Sequence, residues 1–287
     1  MSCVNVLAGS ACRCLPISPV RPWLSWCVPL VWFLAVWLAL GGIRAHAKEV
    51  HIIGPQFPPQ IDETGEGRIG DIIRATLLKC GYGVRFTIVP FGRHWRDYRD
   101  HADYDGLAIV DEGQELPGTP TRVFQHLQNG VVVLSDASAP KIGSLDDLRG
   151  HHFVSFLSVN ALPESFRPMA EYKYYSLYSD RFDALRLLLS GRMDAIVADG
   201  MVMAYSFERL QERVGYGQEP DIDPQATIVF HPILPPTPQR MYFRDRQVAE
   251  DFDRCYGELL EQGVIAKLLK PYQAAHRAIL ADQYPAF

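Results

Sequence analysis

Soon after Lys48 a β-branched run, a helical stripe and a second β-branched run follow one another, and that order restricts the chain to few architectures. "VHIIG" (Val50–Gly54) is closed by Gly and by the turn-rich "PQFPPQ", so it reads as a strand. Ile69, Ile72, Ile73, Thr76, Leu77 and Cys80 then recur at i, i+3, i+4, i+7, i+8 and i+11, which is one face of a helix. Gly81 and Gly83 stop it, and "VRFTIV" (Val84–Val89) is a second strand that Pro90 ends. Strand, helix, strand predicts a βαβ unit on a parallel sheet, because parallel neighbours need a long crossover.

The alternation continues. "PFGRHWRDYRDH" predicts a helix starting after Gly92, and "DYDGLAIV" a strand ending near Val110. "NGVVVLSD" (Asn129–Asp136) is strongly β-branched, and the break "ASAP" after it suggests that a second lobe begins near Ala137. Ser144 with Asp147 three residues on resembles a capped helical turn, and Phe153–Phe156 starts another strand. Phe182, Leu185, Leu188 and Leu189 mark a helix face that Gly191 caps and that feeds the strand "DAIVAD". "ATIVFHPILPPTP" (Ala226–Pro238) is too proline-rich for a sheet centre and reads as a return linker. "RMYFRD" is a last strand, and Val248, Phe252, Cys255, Leu259 and Leu260 form a helix face ending at Gly263.

The first 47 residues have a different character. Arg13, Arg21 and Arg44 are unopposed by any acid and bracket an uncharged apolar run from Trp23 to Ile43. Its most apolar part, Val28–Leu40, has the length of a signal-peptide core, and Ala45-His46-Ala47 is a small-x-small cleavage pattern. The competing reading is an uncleaved anchor, since about 20 apolar residues span a bilayer. Both readings export the remainder, whose formal charge is 25 − 33 = −8 once three of the 28 Lys/Arg are removed. A nucleic-acid partner is disfavoured by that charge. Cys3, Cys12, Cys14 and Cys27 lie in the leader, so Cys80 and Cys255 alone enter the exported part, as one disulfide or as two buried thiols.

Motifs for catalysis and metal binding are missing. His151-His152 would point to opposite faces of a strand, and no H-E-x-x-H, C-x-x-C, G-x-S-x-G or P-loop spacing occurs. "GYG" at Gly81–Gly83 follows a helix instead of a strand, so it is a helix stop and not a dinucleotide loop. No metal, cofactor or catalytic residue is expected.

Six landmarks, in order, resemble the family 3 extracellular solute-binding proteins, the periplasmic receptors of ABC importers for amino acids and related solutes. They are "QFPP", "GRIGDIIRA", "TPTR", "SLDDLRGHHFV", "LLLSGRMDAIVAD" and "FDRCYGELLEQGVIAKLLKPY", within Val50–Tyr272. The resemblance implies an α/β fold of the two-lobed, type II periplasmic-binding kind. Each lobe would be a mostly parallel sheet flanked by helices, and two crossover hinge strands would join them. After a leader at 1–47, residues 48–136 and 239–287 would form lobe 1 and 137–238 lobe 2, with Cys80 and Cys255 both in lobe 1. It further implies a periplasmic, monomeric receptor that passes a small solute from the inter-lobe cleft to an inner-membrane permease.

The same resemblance implies the contacts. Asp199, at the carboxyl end of its strand, would take the solute's ammonium group, or else cap the helix starting at Met201, whereas Asp194 would be structural. Arg122 of "TPTR" would grip a carboxylate through its planar fork, with Thr119 adding a hydroxyl. Phe57 would lie against the solute, and Arg93 and Trp95 could reach the cleft. Where amino-acid receptors carry "GTTG" this chain has "SFLSVNALPESF", so Ser158 and Asn160 would supply polar groups and the solute need not be an ordinary α-amino acid. Two rivals remain: a membrane-tethered sensor, and an enzyme resembling cyclohexadienyl dehydratases, for which Glu164 and Glu171 are the available acids.

Overall fold

The computed structural model describes residues 48–111, 113–136, 139–157, 175–177, 180–281 and 283–285. In the first sheet β1 (Glu49–Gln56) lies between β2 (Gly83–Pro90) and β3 (Gly106–Asp111) and is parallel to both. Helices α1 (Arg68–Lys79) and α2 (Arg93–Asp100) make the two crossovers, so the expected βαβ units are present. α1 buries Ile69, Ile72, Ile73, Thr76 and Leu77, the stripe read from the sequence, in a core shared with Val50, Ile52 and Ala108 of the sheet. Each such aliphatic side chain contributes about 1.5–3 kcal/mol by leaving water.

The second sheet contains β6 (Asn129–Leu134), β7 (Phe153–Ser155), β8 (Tyr175–Leu177), β9 (Ala195–Asp199) and β10 (Ile228–His231), in the order β10-β6-β9-β7-β8. Its flanking helices are α3 (Arg181–Leu189) and α4 (Gly200–Gly215). Asp180 caps α3 by accepting from the Asp183 N–H at 3.0 Å, and Gly191 leaves the helix at φ 69°, a left-handed turn that suits glycine. Asp194 accepts from the His152 N–H at 2.7 Å, tying the start of β9 to that of β7.

The sheets are mostly parallel, as expected, and each contains one strand that runs the other way. In the second sheet β6 runs against β9 and β10, whereas β7 is parallel to β8 and β9. In the first, β11 (Thr237–Phe243) runs against β3, β4 (Thr119–Pro120) and β5 (Gln125–Leu127). Each sheet therefore has one reversed strand, and it is the strand by which the chain enters from the other sheet. Such a strand arrives by a short link, without the long crossover that parallel pairing requires.

Two boundaries differ from expectation. The chain is already in the second sheet at Asn129, earlier than the break at 137 suggested, because "NGVVVL" is β6 itself. Part of the proline-rich return is also a strand: β10 closes the sheet edge and ends at His231, just before the prolines begin.

The C-terminal third is split between the sheets. α5 (Arg246–Glu261) and α6 (Val264–Ala275) pack on the first core through Val248, Phe252, Leu259, Ile265 and Leu269. Cys80 and Cys255, with Cα atoms 5.9 Å apart, join the end of α1 to α5 in a disulfide. α7 (Arg277–Leu280) and Tyr284 instead join the core of the second sheet, against Met201, Ile228 and Phe230. Among the described residues no helix is long and apolar enough to cross a membrane.

Candidate functional site

Asp199 ends β9, the middle strand of the second sheet, and is 4% exposed. One carboxylate oxygen accepts from the Val202 N–H at 2.9 Å and caps α4; the other accepts from the Gln128 N–H at 3.2 Å and the Tyr284 hydroxyl at 2.7 Å. Burial pushes its carboxyl above the usual carboxylate range, and the donors pull it back.

The network continues into the first sheet's side. The Gln60 side-chain amide donates to the Tyr284 oxygen at 2.9 Å, and its carbonyl accepts from Arg68 at 3.2 Å. Arg68, 1% exposed, also donates to the carbonyls of His126 and Pro285 at 3.4 Å and lies 5.2 Å from the centre of the Tyr284 ring. A buried cation and a buried anion are thus linked through two neutral side chains, which offsets the desolvation cost of each. Asp199 acts here as a helix cap and as one end of this relay.

Phe57, directly after β1, is 9% exposed, and its ring centre is 4.8 Å from that of Phe91. The Arg181 guanidinium, at the start of α3, lies over Phe57 at 5.2 Å and over Phe156, just past β7, at 6.0 Å. A residue of the first sheet's side and two of the second's therefore meet at one cation. Desolvation lowers the Arg181 pKa, while the charges of Asp199 and Asp180 raise it. The sequence showed only a helix face after Asp180; nothing in the spacing signals that Arg181 faces Phe57.

The remaining expected contacts have partners elsewhere. The Arg93 guanidinium donates to Asp97 at 2.8 Å, one turn along α2. The Trp95 indole donates to the Ile109 carbonyl at 3.0 Å. His94, fully buried, lies 3.3 Å from the same carbonyl through Nε2 and accepts from the Gly92 N–H at 3.2 Å through Nδ1, which makes Nε2 the protonated nitrogen. Burial pushes this imidazole down to about 4. Thr119 pairs with Phe243 at the end of β11. Arg122 is held by α5: its guanidinium donates to the Asp253 carbonyl at 2.9 Å, its backbone N–H donates to the Asp253 carboxylate, and its side chain is 74% exposed. Ser158, Asn160, Glu164 and Glu171 lie outside the described residues.

A cavity of about 550 Å³ opens beside the relay, lined by Met201, Lys270, Gln273, Arg277, Leu280 and Tyr284 among others. It lies where α6, α7 and the start of α4 meet. Among the described residues no cluster of three or more His, Cys, Asp or Glu side chains could hold a metal ion.

No family model matches the sequence, and no curated protein does. Solved structures do match. A histidine kinase sensor domain with similarity to periplasmic binding proteins is 18% identical at a TM-score of 0.58, covering 84% of this chain and 100% of that one. The periplasmic VFT2 domain of BvgS from Bordetella pertussis is 14% identical at a TM-score of 0.60, covering 83% and 96%. The arginine-, lysine-, histidine-binding protein ArtJ from Geobacillus stearothermophilus is 11% identical at 0.57, covering 79% and 96%. At these identities the likeness is one of architecture: two α/β sheets, each entered by a reversed strand, are the two lobes of the periplasmic-binding-protein fold, and this chain has that fold.

Proposed function

We propose that the protein captures a small polar solute, amino-acid-like or bearing a carboxylate, between its two lobes after export, without chemical turnover. The observation that carries this reading is the meeting of Phe57 from one lobe with Phe156 and Arg181 from the other. A cation and aromatic faces contributed by both lobes form a contact that opening the lobes breaks and closing them completes. The neighbours in architecture are binding proteins and sensor domains, which supports binding as the activity.

Capture serves delivery to an inner-membrane ABC permease in this reading, which the order of family landmarks in the sequence supports. A second reading, capture as the input of a tethered sensor, has its own support in the two sensor domains among the neighbours. Thermal-shift titration of the purified protein tests capture itself. A ligand that binds only the folded state stabilises it by RT ln(1 + [L]/Kd), about 2.7 kcal/mol at 100 Kd. Uptake of the identified ligand by cells with and without the gene then separates the readings: lost uptake supports delivery, and intact uptake with a processed leader absent supports the sensor.

A further inference from the structure

Charged groups withdrawn from water are normally satisfied, and those around Asp199 follow that rule except at Arg68 Nε, which is buried without a partner. Arg68 is divided between Gln60 and two backbone carbonyls, and Asp199 between two backbone amides and a phenol. Arg181 is different. Only partly accessible to solvent, it makes no hydrogen bond or ion pair among the described residues, and its neighbours are the rings of Phe57 and Phe156. A ring face attracts a cation but accepts none of its N–H groups in the ordinary way. Among the described residues the planar fork of five donors has no acceptor.

As a purely structural device this placement is unfavourable, since desolvating an unpaired charge costs free energy that two ring contacts only partly offset. The charges of Asp199 and Asp180 favour the cation, but neither acid hydrogen-bonds to it. Asp199 already holds three donors, and Asp180 caps its own helix. What the guanidinium lacks is a negatively charged acceptor that enters the cleft. Asp199, by the same count, is poorly placed to accept an incoming ammonium group.

We propose that Arg181 is the anion-recognising residue of the cleft and that the solute is a small organic acid; the proposal rests on the capture reading above. The carboxylate bonds in the plane of the guanidinium, and the body of the solute rests on the aromatic surface formed by Phe57 and the 46%-exposed Phe91. Selectivity follows from charge. An anion supplies what Arg181 lacks, whereas a net cation adds repulsion without gaining a free carboxylate.

The test is a thermal-shift and calorimetric panel on the protein as exported by its host. Succinate, glutamate and phenylacetate are the acidic probes; glutamine, lysine and arginine are the controls. At least one acid is expected to bind, more weakly at high salt, and Arg181→Met to lose about 30-fold or more of that affinity. Arg181→Lys should retain part of it, which separates loss of charge from loss of fold, and circular dichroism checks both variants. Binding of glutamine, lysine or arginine that Arg181→Met leaves unchanged overturns the role of Arg181 and keeps capture. Silence of the whole panel with the unaltered protein overturns both.

Discussion

The Tyr284 hydroxyl donates to the buried Asp199 carboxylate at 2.7 Å, joining the end of the chain to the end of the second sheet's middle strand. The same oxygen accepts from Gln60, so the contact reaches the first lobe as well. Tyr284→Phe keeps the ring beside Arg68 and removes the hydroxyl. Leaving a buried carboxylate short of a donor costs about 2 kcal/mol, a fall in Tm of roughly 4–8 °C for a protein of this size. Urea denaturation checks it, and the pH dependence has a defined sign. Burial already raises the Asp199 pKa, and removing a donor raises it further. The penalty is therefore fully present where Asp199 is ionised and shrinks as the solution becomes acidic enough to protonate it.

His94 supplies a second pH dependence. Its folded pKa is about 4 against 6.5 for the free side chain, with burial as the main cause. Between these values the unfolded chain binds the proton and the folded one does not, so stability falls as pH drops from 6.5 towards 4. At 1.36 kcal/mol per unit the loss approaches about 3 kcal/mol. Chemical denaturation at a series of pH values should show it, and His94→Gln should flatten that part of the curve.

The Cys80–Cys255 disulfide closes a loop of 175 residues, from the end of α1 to α5. Without reductant, alkylation of the unfolded exported protein should label neither thiol, and with reductant both. Reduction should cost about 2–5 kcal/mol of stability. Intact mass and thermal melts in parallel measure both effects.

Much of this architecture was legible in the residues. The α1 stripe from Ile69 to Leu77, the β-branched strands and the capping aspartates each carry a local signal, because period and turn chemistry act within a few positions. The entry into the second sheet at Asn129 was not legible. "NGVVVL" is the same string whichever sheet it joins, and long-range pairing decides. Nor could spacing reveal that Tyr284 meets Asp199 or that Arg181 meets Phe57, since each pair is distant in sequence and brought together only by the packing of the lobes. Arg122 shows the converse: a landmark string fixed its place in the chain, but Asp253 on α5 decides where its guanidinium goes.

That contrast between two arginines yields the last prediction. Arg122 is a largely exposed side chain bonded to α5, and exposed pairs of this kind contribute about 0–1 kcal/mol. Arg122→Ala should therefore lower stability by no more than about 1 kcal/mol and leave the affinity for an acidic solute within about 2-fold, since the change removes no group from the Phe57–Arg181 contact. Calorimetric titration of Arg122→Ala beside Arg181→Met measures the difference directly. A large loss of binding in Arg122→Ala with an unchanged melt would mean that the lobes rearrange on closing so that "TPTR" turns into the cleft. In that case the family landmark, and not the open cation between the two phenylalanines, marks the anion site.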